Sequence, residues 1–563
     1  MQLKLNLKSK IKKILENRLC YLFLIFIFFI FLGLLDTYPL ILHITDYLPP
    51  NHIGNEVNSY CDTLQTYYFF WLFKDNLLNG KNILYNQYEF SIGEYRNFRG
   101  LWGFPLTILF LVLSFFGDVF AYNVLIIFSF AFSGLGMYLL VEFMTRNKYS
   151  GLISGVIYSM APFRVGEIVI YGHIGGFIAL FLPFVVYFYE KAFTKKSFKD
   201  MIFAGICILM VAFTEWHITY YIFLFTLLYL PFKVLQLTRN KDVIKKFEGY
   251  SRIFSVLLIF VTLSIGYIMH CKSQSQLDEF GGWNPNAICC YPHPFYFFVR
   301  DPGNEFYLGI FPIAIILTVL IQTVKTPRNL HVWFYTLIFL GSLILTLGPN
   351  FPLPNFSPYM SFYKFMPFFD HFRSPARIAI MVVFSLAILS GFAVNKFLRI
   401  AVGIPKKITA VIIVLLVLLI VLDYTFAPLN IGPVDENNQV YRIVKESEDD
   451  SKILEIPIIS AGWPGNSVYE YYITLHKKSI INGYSPFPHK EYVELKEKFK
   501  SINLGKINKS QYRLMKEKNI DFIIVHRRLL EYKRFNTSMD RFMESPYLEF
   551  IKNDKDIWLF KVN

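Results

Sequence analysis

The sequence predicts a mainly α-helical, polytopic membrane protein with a small external C-terminal domain of α/β or α+β type. Three observations predict it. Of 563 residues 54% are hydrophobic and only 17% charged, with a mean hydropathy of +0.40, a balance that a soluble chain could not cover with polar surface. Apolar runs of roughly bilayer length recur through residues 1–429. From 430 to 563 the composition turns polar, and short β-like runs ("ILEIPII", "DFIIVH", "WLFKV") alternate with charged helical stretches such as "EYVELKEKFKSI".

The apolar runs lie at 20–42, 121–144, 150–163, 174–190, 201–214, 217–235, 253–271, 304–323, 332–348, 375–395 and 408–427, which makes about eleven spans. The basic N-terminal arm precedes a run too long for a signal-peptide core and without a small-residue cleavage site, so that run is expected to stay as the first span. Lys and Arg concentrate in the N-terminal arm and in alternate loops ("TRNKYS", "KAFTKKSFK", "TRNKDVIKK", "VKTPRN", "NKFLRIAVGIPKK"), which places those loops in the cytoplasm. The other loops and the C-terminal domain then lie outside. This parity requires "FPLTILFLVLSFFG", 104–117, to rest along the membrane surface, and its length suits an interfacial segment. The first external loop, 43–120, is therefore long and membrane-hugging.

The formal charge of +15 sits in these short topological blocks and forms no single basic face, which argues against nucleic acid as a partner. Membrane lipids are the expected surroundings. The six cysteines show no zinc-type spacing; a bridge from Cys61 to Cys289 or Cys290 is open from sequence.

Candidate chemistry gathers on the external side. In "NSYCDTLQTYYFFWLF" Asp62 and Gln65 stand three apart at a helix start and share a face. Two readings remain open: a capping box, or a carboxylate presented to a substrate. "FRSPAR" sets Ser374 and Pro375 at the start of an outward-facing span with Arg373 and Arg377 beside free backbone N–H groups, a setting for an anion such as phosphate or for arginines that snorkel to headgroups. "YGHIGG" supplies His173, "TEWH" supplies Glu215 and His217, and "GNEFYLG" supplies Glu305, all at outer helix ends. Ionisable groups at membrane depth cost about 2.5 to 3.5 kcal/mol each, so several near one face indicate a polar cavity. Asp62, His173, Glu215 and His217 have no metal-site spacing; no cofactor is expected, and a divalent metal is the lesser alternative.

On "CDTLQTYYFFW", the Pro-led surface helix with "AYN" opening the next span, "APFRVGEIVIYGH", "EFYLG", "LGPNFPLP", "FRSPAR" and "LHKKSIINGY", the chain resembles the GT-C superfamily of lipid-phosphate-sugar glycosyltransferases, especially its protein O-mannosyltransferase and aminoarabinose-transferase branch. The resemblance implies a polyprenyl-phosphate-linked sugar as donor, a glycan, lipid or protein as acceptor, and Asp62 as the catalytic carboxylate. The second acid that often follows the first in the mannosyltransferases is absent, since Thr63 follows Asp62. The tryptophan-aspartate motif of oligosaccharyltransferases is also absent, and the one D-x-D, Asp554 to Asp556, reads as a turn.

The expected function is thus inverting transfer of a hexosyl or pentosyl group at the outer face. Asp62 serves as base and Gln65 orients it, while Arg373, Arg377 and His173 steady the leaving phosphate. A flippase for a lipid-linked glycan would call for mid-membrane ionisable residues and inverted repeats. A non-catalytic envelope scaffold is the other alternative.

Overall fold

A computed structural model describes residues 17–49, 62–92, 97–238, 243–274, 282–325, 329–353, 356–401, 403–426, 428–488, 490–530 and 532–563. Cys61, and with it the candidate bridge, lies outside the described residues.

Each of the eleven apolar runs forms helix, and polar side chains set several of the starts. Asn17 Oδ1 accepts from Leu19 N–H to open Arg18–Asp36, Asn147 does the same for Lys148–Ser159, and Asn329 for Leu330–Thr346. Among the described residues seven helices are long and apolar enough to cross a membrane, and eight if Lys148–Ser159 and Pro162–Ile170, bent by 44° at their junction, count as one span. The other expected spans are shorter helices, Phe198–Ala212, Ile310–Lys325 and Leu330–Thr346, of 15 to 17 residues. At 1.5 Å per residue these reach about 22 to 26 Å, somewhat less than the hydrocarbon thickness. The run 304–323 begins helix only at Ile310, which leaves Glu305 in the preceding loop.

Pro375–Ile400 is the axis of the bundle. Every position of its most apolar window is buried, whereas the Tyr250–Gln274 helix buries only 22% of its window and turns the rest outward. Close packing there depends on small residues: a Cβ on Gly391 would stand 2.3 Å from Ser154 Oγ and 2.4 Å from Val141. The surface segment 104–117 is the short helix Leu106–Leu113 with a 3₁₀ turn, Ser114–Phe116, and Val112, Phe115 and Phe116 are exposed. Eleven residues span about 16 Å, half the thickness a crossing needs.

The C-terminal domain is built on a five-stranded mixed sheet: β1 (Lys452–Ile456), β2 (Ser479–Ile480), β3 (Ile520–His526), β4 (Leu548–Asp554) and β5 (Ile557–Val562), in the order β2-β1-β3-β5-β4. β1 runs parallel to β2 and β3, with Ile456 opposite Val525, and β5 is antiparallel to both β3 and β4. The three β-like runs of the sequence are β1, β3 and β5. Asp554 and Asp556 flank the β4–β5 turn, where Asp554 accepts from the Gln439 N–H and Asp556 pairs with Arg528.

The loop between the first two long helices joins this domain to the membrane helices. Tyr47–Leu48 pairs with Gly432–Pro433. Residues 88–91 run beside the β2 edge, with Ile480 N–H on Tyr88 O at 2.7 Å and Phe90 N–H on Asn482 O at 3.0 Å. An edge strand that would otherwise be open is thereby covered.

Candidate functional site

The helix Thr63–Leu78 carries the site. Asp62 is its N-cap residue by position, but its carboxylate makes no capping bond. Instead Oδ1 accepts from the Tyr484 hydroxyl at 2.6 Å, and Oδ2 lies 3.3 Å from His173 Nε2. Gln65 turns away from Asp62: its Nε2 donates to Glu470 Oε1 at 3.3 Å and to Tyr484 O at 3.4 Å. The capping-box expectation and the expectation that Gln65 orients Asp62 are both corrected, because the C-terminal domain supplies stronger partners for each side chain.

His173 reaches Asp62 through a close approach of backbones. Thr66 Oγ1 donates to Gly172 O at 2.6 Å, and Gly172, at φ +67°, sits so near the helix start that a Cβ would fall 2.3 Å from Thr63 Cα. The other ring nitrogen, Nδ1, is 3.2 Å from Glu167 Oε1, and the ring stacks on Tyr171 at 5.4 Å. Burial opposes the imidazolium, but Glu167 and Asp62 outweigh it and push the His173 pKa up to about 10. His173 is therefore a cation between two carboxylates. For Asp62 burial acts upward, and the His173 charge and hydrogen bond with the Tyr484 hydroxyl outweigh it, so the carboxyl titrates below its ordinary value.

A second constellation faces the first. Glu215 Oε1 lies 2.5 Å from His217 Nδ1 and 3.7 Å from Arg377 Nη1, and Arg377 Nη1 is 3.1 Å from the same imidazole nitrogen. That nitrogen can donate to the carboxylate or accept from the guanidinium, not both at once. Burial would raise the Glu215 pKa, yet His217 and Arg377 bring it down to about 2. Glu167, Glu215, His217 and Arg377 line a cavity of about 20 Å³ with Arg164, room for about one water. Glu305 stands beside it, its Cβ 2.8 Å from where a Gly166 Cβ would be, and among the described residues its Oε2 has no hydrogen-bond partner. Burial and the charge of Glu167 raise its pKa to about 8, so at neutral pH it holds its proton.

Asp62, His173, Glu215, His217, Glu305 and Arg377 are thus brought together. Arg373 stands at the edge of this group: it is exposed, lies over the Trp283 ring at 4.5 Å, and its charge acts on Tyr484 and not directly on Asp62. The pair read from "FRSPAR" divides because Pro375–Ile378 is a 3₁₀ turn that sends Arg377 inward, and Ser374 makes no capping bond. Glu167, Arg164, Glu89, Glu470 and Tyr484 were absent from the expected site. Glu167 had a legible signal, an acid in an otherwise apolar segment six residues before His173. Arg164 is wholly buried, with its guanidinium 5.1 Å from the Tyr158 ring. Among the described residues no group of three or more His, Cys, Asp or Glu side chains is placed to hold a metal ion.

No family model matches the sequence, and no curated protein does. Solved structures do. The mycobacterial arabinofuranosyltransferase AftD aligns with a TM-score of 0.59 at 12% identity over 96% of this chain and 40% of its own. The Archaeoglobus fulgidus oligosaccharyltransferase in its apo form aligns with a TM-score of 0.51 at 11% identity, covering 90% of this chain and 69% of the other. ArnT from Cupriavidus metallidurans bound to undecaprenyl phosphate gives 0.49 at 10% identity, over 96% and 97%. The likeness is one of fold: the chain shares the fold of the first two, and its helices long and apolar enough to cross a membrane make it a polytopic membrane protein.

Proposed function

We propose that the protein moves a sugar from a polyprenyl-phosphate donor to an acceptor hydroxyl at the external face of the membrane, with inversion at the anomeric carbon. The observation that carries this reading is the placement of Asp62 on the cation His173, with Glu167 on the other side of that ring and the Arg377 charge acting on both carboxylates. Asp62 is 26% exposed at its side chain, and an ionised carboxylate with one donor on each oxygen keeps lone pairs for a further hydroxyl.

The step balances as follows. The acceptor oxygen bonds to the anomeric carbon while the bond from that carbon to the phosphate oxygen breaks, and polyprenyl phosphate leaves with the electron pair. The acceptor proton passes to Asp62, whose lowered pKa keeps it ionised and whose carboxylate takes the proton as it becomes acidic while the new C–O bond forms. Arg377 faces the charge that develops on the leaving phosphate, with the His173 charge in support, and a donor of the Arg377 kind contributes about 2.7 to 4 kcal/mol.

An apolar pocket of about 320 Å³ supports a lipid-linked donor. Tyr221, Leu224, Leu228, Leu337, Ile378 and Met381 line it, and Ile378 and Met381 belong to the helix start whose Arg377 and Ile380 line the polar cavity. An isoprenoid chain lying there would bring its phosphate toward Arg377. Two fold neighbours with a TM-score above 0.5 are named as glycosyl-transferring enzymes, which supports the same class of reaction.

The test is a comparison of membrane lipids from cells with and without the protein. One sugar-charged polyprenyl phosphate should accumulate in its absence. Identical lipid profiles would contradict the proposal.

A further inference from the structure

Tyr484 lies 422 residues from Asp62 in the chain, in the C-terminal domain, yet every one of its polar groups engages the loop 43–120. Its N–H donates to Glu89 Oε1 at 2.7 Å. Its carbonyl accepts from Gln65 Nε2 at 3.4 Å and from Arg99 Nη2 at 3.5 Å. Its hydroxyl donates to Asp62. Beneath it Arg99 also donates to Glu89 Oε2 at 3.0 Å, and Glu470, on the Ser467–His476 helix, meets the Glu89 carboxyl with both residues buried. Burial and the Glu89 charge raise the Glu470 pKa well above the ordinary carboxylate range. Lys477 adds a bond to Asp75 on the Asp62 helix at 3.2 Å.

We propose that Tyr484 is a positioning residue for the Asp62 carboxylate, so that the external domain completes the transfer site. This rests on the reading of Asp62 as base. An isolated aspartate at a helix start rotates freely about its two side-chain torsions; the Tyr484 hydroxyl on Oδ1 and the His173 ring on Oδ2 fix the carboxylate plane and leave lone pairs for the acceptor hydroxyl. The backbone of Tyr484 is itself fixed at both N–H and carbonyl, so the hydroxyl is a rigid donor. The charged and titratable groups around the pair are His173 and Arg377 on the Asp62 side, Glu470 and Arg373 on the Tyr484 side, with Glu167 behind His173.

Tyr484→Phe removes one oxygen and keeps the ring, so the domain stays docked. The assay is release of free polyprenyl phosphate from sugar-charged polyprenyl-phosphate lipids, extracted from membranes of cells lacking the protein, reconstituted in vesicles and supplied with envelope extract. A hydrogen bond to the ionised form lowers a carboxyl pKa, so its loss should move the acid limb of the pH–rate profile upward by about one pH unit and lower the rate about tenfold. Lys477→Ala, which loosens docking without touching Asp62, should leave that limb in place. A Tyr484→Phe protein whose profile superimposes on the wild type overturns the proposal, as does a Lys477→Ala protein whose limb moves equally. In either case inactivity of Asp62→Asn would leave the assignment of the base standing. Wild-type rates in Asp62→Asn would remove that assignment and this proposal together.

Discussion

At Asp62 burial and hydrogen bonding pull in opposite directions, and the donors prevail; at Glu305, in the same site, burial prevails. The physical difference is the partner. Asp62 faces a cation and a hydroxyl, whereas Glu305 faces the negative Glu167 and lacks a hydrogen bond at Oε2 among the described residues. This fixes a sign. A carboxyl whose folded pKa is about 8 and whose unfolded pKa is ordinary binds more protons folded than unfolded between about pH 4.5 and 8, so stability falls as pH rises through that window. Glu305→Gln should therefore melt higher than wild type at pH 8 and level with it near pH 4. Thermal unfolding in detergent at the two pH values checks it, and a variant less stable at pH 8 would show that the ionised acid is favoured. Glu215 behaves oppositely: with a folded pKa of about 2, its stabilising contribution is present above its unfolded value and is lost as pH falls toward 2.

At the scale of elements, the helices were legible because bilayer length is a local signal, and the short length of 104–117 showed in its sequence. Their starts were less so: Asp62 and Ser374, read as caps, make no capping bond, while Asn17, Asn147 and Asn329 do. The partners of Asp62 were not legible. "NSYCDTLQ" reads as a capping box, and nothing within it records that a tyrosine far along the chain would take the carboxylate. The separation of Arg373 from Arg377 was hidden for a related reason, since a 3₁₀ turn and a helix share the same N-terminal residues. Gly172 shows how tightly the elements meet. In Gly172→Ala the left-handed backbone costs about 1–2 kcal/mol and the methyl meets the backbone of Thr63, which cannot swing aside as a side chain would. Gly303→Ala, at φ +91° with nothing within 4 Å, is the control. Melting and transfer should both fall in Gly172→Ala well below the control; equal behaviour would show that the two backbones are not held this close.

At the scale of the whole molecule, the C-terminal domain is fastened to the membrane part by β-pairing at 88–91, the Lys477–Asp75 bond and the Tyr484–Asp62 bond, so the two meet at the candidate site. We propose that this assembly faces outward, as the Lys and Arg blocks of alternate loops require. A single reporter cysteine placed beyond residue 430 of a cysteine-free variant should react with a membrane-impermeant reagent on intact cells. Reaction only after permeabilisation would reverse the sides. The central claim is that Asp62 accepts the acceptor's proton, and replacing one atom tests it most directly. Because Asp62 makes no capping bond, Asp62→Asn changes no helix-terminal hydrogen bond. The variant, purified and supplied with the charged lipid extract, should insert normally and lose turnover by on the order of 10²-fold or more. Transfer by Asp62→Asn at the wild-type rate would contradict the account.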